Sequence, residues 1–96
     1  GATDKAVSLG VIVNELVTNA AKYAYPGCRG EIRVRLARDA DAATLTVEDD
    51  GVDLSGGAQG TGLGTRVVKA MAAGLRSEPV TDADHDGARV TIRFQP

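Results

Sequence analysis

Asn14-Glu15-Leu16-Val17-Thr18-Asn19-Ala20-Ala21-Lys22-Tyr23 is the stretch on which the reading of this chain turns. It sits in a longer run where Ala6, Leu9, Ile12, Val13, Leu16, Ala20 and Ala24 recur at helical spacing. The pattern predicts a helix from a cap at Thr3 or Asp4 to about Ala24, stopped by Pro26-Gly27. With Glu15 at zero on a helical wheel, Asn19 falls at about 40°, Lys22 at about −20° and Tyr23 at about 80°. A carboxylate, a carboxamide, an ammonium and a phenol therefore share one stripe along the edge of the apolar face. Taken alone, that stripe is better read as a solvated helix side with an i,i+4 Glu–Asn pair and a snorkelling lysine.

A second pair of segments changes the weighting. Leu45 and Val47 alternate with Thr44, Thr46 and Glu48, which predicts a half-buried strand running into Asp49-Asp50-Gly51. By period two, Asp49 points to the same face as Leu45 and Val47. A carboxylate there needs a partner or a ligand, because burying it unpaired is costly. From Gly51 to Gly64 lie six of the 12 glycines. This loop is expected to be mobile or ordered by a ligand. It closes on Gly60-Thr61-Gly62-Leu63-Gly64, whose backbone N–H groups are able to wrap phosphates and hand them to the next helix N-terminus. It is not a P-loop, since Gly-Lys-Ser/Thr is absent, and nothing nearby supplies a Rossmann crossover.

The remaining elements follow from periodicity. Ile32, Val34 and Leu36 alternate with Glu31, Arg33 and Arg35 as a half-buried strand, joined to the next by a turn at Asp39-Ala40-Asp41. Leu63, Val67, Val68, Met71 and Leu75 mark a second amphipathic helix. A short strand is expected to start at Pro79-Val80. After a turn over residues 82–87, Ala88, Val90, Ile92 and Phe94 alternate into a last strand. The order helix, strand, strand, helix, strand, strand predicts an α/β (α+β) two-layer sandwich, with helices on one face of a mostly antiparallel mixed sheet.

Composition bounds the function. At 96 residues the chain is one small domain. Tyr23, Tyr25 and Phe94 are the only aromatics, so the core must be aliphatic. The net charge of −2 has no basic block, which argues against a nucleic-acid surface. No apolar run reaches membrane-span length, and no signal peptide is visible. A single cysteine, Cys28, excludes a disulfide framework and points to a reducing cytoplasm. A chain that starts on a helix and stops on a strand reads as one domain, residues 1–96, of something longer.

Together, the Asn14–Tyr23 stretch, Asp49-Asp50-Gly51 and Gly60-Thr61-Gly62-Leu63-Gly64 resemble the N, G1 and G2 boxes of the Bergerat ATP-binding fold. The resemblance implies binding of ATP with Mg²⁺. It makes Asn19 the metal-holding asparagine and Glu15 the catalytic glutamate. The latter activates water in hydrolysing members and orients the attacking histidine or a metal-bound water in kinases. It places Lys22 to meet phosphate and Tyr23 to flank the base or sugar. Asp49 matches the aspartate that accepts from the adenine amino group, and Gly51 the first glycine of Asp-x-Gly-x-Gly. Gly60, Thr61, Gly62, Leu63 and Gly64 match the phosphate-wrapping loop. Gly87-Ala88-Arg89-Val90-Thr91 echoes the last glycine-containing box. Asp53 replaces the second G1 glycine and brings a negative charge near the nucleotide. The stretch from Leu54 to Gly60 is short for a kinase lid, and no basic residue lies between Asp49 and Arg66. Contacts to the γ-phosphate then fall to Lys22, backbone amides and Mg²⁺.

The wording of the N box is very similar to the soluble bacterial sensor histidine kinases related to the HWE type. The strict HWE type has a histidine where this chain has Asn14, and a Trp-x-Glu signature that a chain without tryptophan lacks. The resemblance implies phosphoryl transfer to a histidine on the kinase's own dimerisation domain, and a response regulator downstream. The only histidine here, His85, reads as a surface residue in an acidic turn rather than the acceptor. Alternatives are a non-catalytic Bergerat-type docking module with weakened nucleotide binding, and an anti-sigma-factor serine kinase.

Overall fold

The computed structural model describes residues 2–27, 29–51, 63–82 and 84–96. Helix α1 spans Ala2–Tyr23. It begins slightly before the expected cap, and Ala24 N–H still bonds Ala20 C=O at 3.0 Å. Strands β1 (Ile32–Arg38) and β2 (Ala43–Asp49) form a hairpin in which Val34 faces Val47 and Leu36 faces Leu45. Its turn is built by Asp39, whose Oδ1 accepts from the N–H groups of Asp41 at 2.8 Å and Ala42 at 2.7 Å. Those two donors hold the Asp39 carboxyl below the usual carboxylate range.

Helix α2 spans Leu63–Gly74. It ends in a Schellman arrangement, with Ser77 N–H on Ala72 C=O and Arg76 N–H on Ala73 C=O, both at 2.9 Å. The left-handed position that glycine usually fills is taken by Arg76, at φ 56°. Strands β3 (Val80–Thr81) and β4 (Arg89–Phe94) complete a sheet of order β1-β2-β4-β3. All of the described pairings are antiparallel, so the expected mixed component is not seen among them.

The helices cover one face of the sheet, as the alternation predicts. Ile12 from α1, Val68 and Ala72 from α2, Leu75 beyond it, and Ala43, Leu45, Ile92 and Phe94 from the sheet form the buried cluster. Leu9, Val13, Leu16 and Met71 pack around it. Ile12 and Ile92 are essentially sealed, and each such side chain contributes about 1.5–3 kcal/mol. Two expectations fail at the margins. Val34 and Leu36 share the helix-side face but are 47% and 65% exposed, because β1 is an edge strand that is partly buried only at its start, Ile32 and Arg33. Ala6 is likewise exposed on α1. No helix among the described residues is long and apolar enough to cross a membrane.

Candidate functional site

The site begins where β2 ends. Asp49 is 3% exposed and lies on the helix side of the sheet. Its Oδ1 accepts from Gly51 N–H at 2.9 Å and from Ala88 N–H at 3.3 Å. Among the described residues, no donor meets Oδ2. The carboxylate is thus oriented by backbone through Oδ1.

Two glycines permit this packing. A Cβ on Gly51 would lie 2.1 Å from the Ala24 carbonyl oxygen, so the end of α1 presses directly on the end of β2. Gly87, in the turn before β4, has φ +85°, and a Cβ there would lie 2.6 Å from Asp49 O and 2.7 Å from its Oδ1. Three segments converge on Asp49, and each leaves out a side chain or lies against a residue that does.

The polar stripe of α1 meets the start of α2. Glu15 and Asn19 are half-buried. A Cβ on Gly64 would lie 3.0 Å from Glu15 Oε2 and 3.2 Å from Asn19 Nδ2. The first turn of α2 therefore sits over both groups, and Gly64 leaves them room. Lys22 and Tyr23 are exposed at the helix end, and Leu63 is 75% exposed at the start of α2. Gly60, Thr61 and Gly62, together with Asp53 and the expected lid, lie outside the described residues. Among the described residues, no group of three or more His, Cys, Asp or Glu side chains forms a metal cluster. The stripe nevertheless offers a carboxamide and a carboxylate one helical turn apart. That oxygen set suits a Mg²⁺ ion that keeps waters and phosphate oxygens as its other ligands.

The opposite face of the sheet holds groups the sequence reading passed over. Glu48 is 2% exposed. Its Oε2 accepts from Arg89 Nε at 3.0 Å, and its Oε1 meets the Arg35 guanidinium, with Arg33 Nε at 3.5 Å. Arg33 grips Asp50 with two bonds of 2.9 and 2.7 Å, which holds the Asp50 carboxyl below its usual range. The same contact, then Glu31, raises the Arg33 pKa. The Asp82 carboxyl is lowered by Asp84 N–H and then by Arg89. His85 is not the surface residue expected. Its side chain is 12% exposed, with Nε2 2.7 Å from Asp49 O, 3.4 Å from Asp50 Oδ1 and 3.6 Å from Glu48 Oε2. Tyr25, noted in the sequence only as an aromatic, accepts from Asp50 N–H at 2.8 Å and donates to Glu31 C=O at 2.6 Å.

Residues 4–96 match the family described as histidine kinase-, DNA gyrase B-, and HSP90-like ATPase. Among solved structures, the histidine kinase domain from the Erythrobacter litoralis EL346 blue-light activated histidine kinase is similar over 95% of this chain and 47% of that one, with 27% identity and a TM-score of 0.78. A second structure of the Erythrobacter litoralis EL346 kinase matches over 94% of this chain and 30% of that one, with 26% identity and a TM-score of 0.76. Acinetobacter baumannii histidine kinase AdeS shares the fold at 21% identity and a TM-score of 0.73, over 92% of this chain and 45% of that one. The chain spans less than half the length of each of these structures. No curated protein sequence matches it. With nearly its whole length matched, the chain belongs to the histidine kinase-, DNA gyrase B-, and HSP90-like ATPase family.

Proposed function

We propose that the chain is the catalytic ATP-binding domain of a two-component sensor histidine kinase, of the soluble group related to the HWE type. It presents Mg-ATP to a histidine on a separate dimerisation domain, and the phosphoryl group then passes to a response regulator in the cytoplasm. The observation that carries the nucleotide assignment is Asp49, buried, with Oδ1 tied to two backbone N–H groups and Oδ2 unclaimed among the described residues. An oriented, acceptor-only oxygen selects adenine, whose amino group donates, over guanine, whose carbonyl does not.

The roles of the other residues rest on the resemblance of their motifs. Asn19 supplies a neutral oxygen for Mg²⁺, and Lys22 a mobile cation for phosphate. A bound Mg²⁺ supplies charge neutralisation on the phosphate oxygens. Glu15, beside Asn19 and beneath Gly64, orients the attacking group. By the resemblance of their sequence, Gly60, Thr61, Gly62, Leu63 and Gly64 give backbone amides to phosphate, and Tyr23 flanks the base or sugar. Phosphoryl transfer of this kind depends on positioning and electrostatics.

The test is a calorimetric titration of Mg-ADP and Mg-GDP into the purified chain. Adenine-selective binding sustains the proposal. No binding, or equal affinity for both, overturns it and leaves the docking-module reading.

A further inference from the structure

We infer that Tyr25 and His85 form a two-sided clamp on the peptide group joining Asp49 to Asp50, and act as positioning residues for the nucleotide site. This rests on the reading of Asp49 as the base acceptor.

Asp49 and Ala88 occupy neighbouring strand positions, one step beyond the Glu48–Arg89 pair. A regular antiparallel ladder would have the two residues exchange both N–H···O bonds. One of these is made, from Asp49 N–H to Ala88 C=O at 2.9 Å. The return bond is diverted: Ala88 N–H donates instead to the Asp49 carboxylate at 3.3 Å. That leaves the Asp49 backbone carbonyl without its ladder donor, and His85 Nε2 takes it at 2.7 Å. A carbonyl only accepts, so Nε2 carries the proton. The Glu48 and Asp50 carboxylate oxygens, within 3.6 Å of the same nitrogen, favour that hydrogen too.

The other side of the same peptide is held as firmly. Asp50 N–H donates to the Tyr25 hydroxyl, which is turned to accept because its own proton goes to Glu31 C=O. Gly30 makes space for the ring, since a Cβ there would overlap it at 2.1–2.3 Å. The histidine thus frees the Ala88 amide to orient the carboxylate, and the tyrosine stops the peptide from rotating. Losing either lets the ladder bond re-form or the peptide turn, and Asp49 loses its fixed direction.

The experiment compares Tyr25→Phe, His85→Ala and His85→Gln with the parent and with Asp49→Asn. Its readouts are ADP and GDP affinity by calorimetry, melting temperature, and Asp50 amide exchange without nucleotide. Tyr25→Phe and His85→Ala should each weaken ADP binding about 3- to 10-fold and lower the ADP/GDP preference by a similar factor. His85→Gln, which keeps a donor, should recover most of the affinity. Asp50 amide exchange should quicken in Tyr25→Phe even without nucleotide. Parental ADP affinity in Tyr25→Phe and His85→Ala, with Asp49→Asn impaired, overturns the clamp and leaves the acceptor reading standing. A parent that binds no ADP overturns the acceptor reading, and the positioning role with it.

Discussion

Gly51 lies against the carbonyl of Ala24 so closely that an added Cβ would sit 2.1 Å from its oxygen. The neighbour is backbone at a helix end and does not yield as a side chain would. Gly51→Ala should therefore cost at least about 2 kcal/mol, or roughly 10 °C in Tm for a chain of this size. Nucleotide affinity should fall with it. Gly27 provides the control: its φ is +75°, but nothing lies within 4 Å of a Cβ there. Gly27→Ala should cost only the left-handed strain, about 1 kcal/mol, and leave ADP affinity unchanged. Thermal melts and calorimetry on both variants check this, and equal losses would show that contact at Gly51 is not the cause.

Asp49→Asn replaces an oxygen acceptor with an amide of ambiguous orientation. Either the backbone donors of Gly51 and Ala88 or the incoming adenine amino group then faces an NH₂. ADP binding should weaken by about 1–3 kcal/mol, while GDP binding changes less. Calorimetry with both nucleotides reads the difference. A variant with parental selectivity would mean that the buried carboxylate serves the fold alone.

How far the sequence led is clear at particular residues. Asp49 was legible because period two sets it on the face of Leu45 and Val47, where a carboxylate is anomalous. The Glu15–Asn19 stripe was legible because both lie within one turn of a helix. The uncovered Val34 and Leu36 were not, because alternation tells which face a side chain takes and not whether a helix reaches it. Ala72, fully buried on α2, carried too little hydrophobic weight to mark its stripe. His85, Tyr25 and Glu48 were missed for a different reason. Their partners lie 36, 25 and 41 positions away, and such pairings depend on strand register, which no local pattern reveals.

Metal dependence should pass through Asn19. Asn19→Ala should reduce the gain in ATP affinity on adding Mg²⁺ by at least about tenfold and leave metal-free binding and Tm close to parental. Gly64→Ala should act in the same direction, because its Cβ would push on Glu15 Oε2 and Asn19 Nδ2 at 3.0 and 3.2 Å. Paired titrations with Mg²⁺ and with EDTA decide it. A parental response in Asn19→Ala would make Asn19 a helix-surface residue.

Acid should weaken the fold in a defined direction. Asp50, Asp82 and Asp39 are all held below the usual carboxylate range, by Arg33, by Asp84 N–H and by Ala42 N–H respectively. A depressed pKa contributes stability that is complete above the unfolded value, about 3.9, and is lost as pH falls through the lower folded value. Tm should therefore be insensitive to these groups near neutrality and drop below about pH 4. Arg33→Gln returns Asp50 toward its ordinary range, so its acid limb should be shallower than the parent's. A parallel pair of Tm–pH curves would remove Asp50 from the account.

His85 should not take a phosphoryl group. An acceptor histidine needs a ring nitrogen with a free lone pair aimed in line at the γ-phosphate. Nε2 carries the hydrogen donated to the Asp49 carbonyl, so the ring is anchored there and only Nδ1 keeps a lone pair. Glu48 and Asp50 oxygens lie within 3.6 Å of Nε2, and would repel the transferring group. Glu15 is able to orient water, but nothing in the described residues supplies an in-line acceptor beside it. The chain incubated alone with radiolabelled Mg-ATP should show no acid-labile label and very slow hydrolysis. Adding a dimerisation segment that bears a histidine should bring labelling of that segment, and Glu15→Ala should then slow labelling more than it weakens ATP binding. Acid-labile label lost in His85→Ala would place the acceptor inside this chain and overturn the assignment of His85 to the Asp49 peptide.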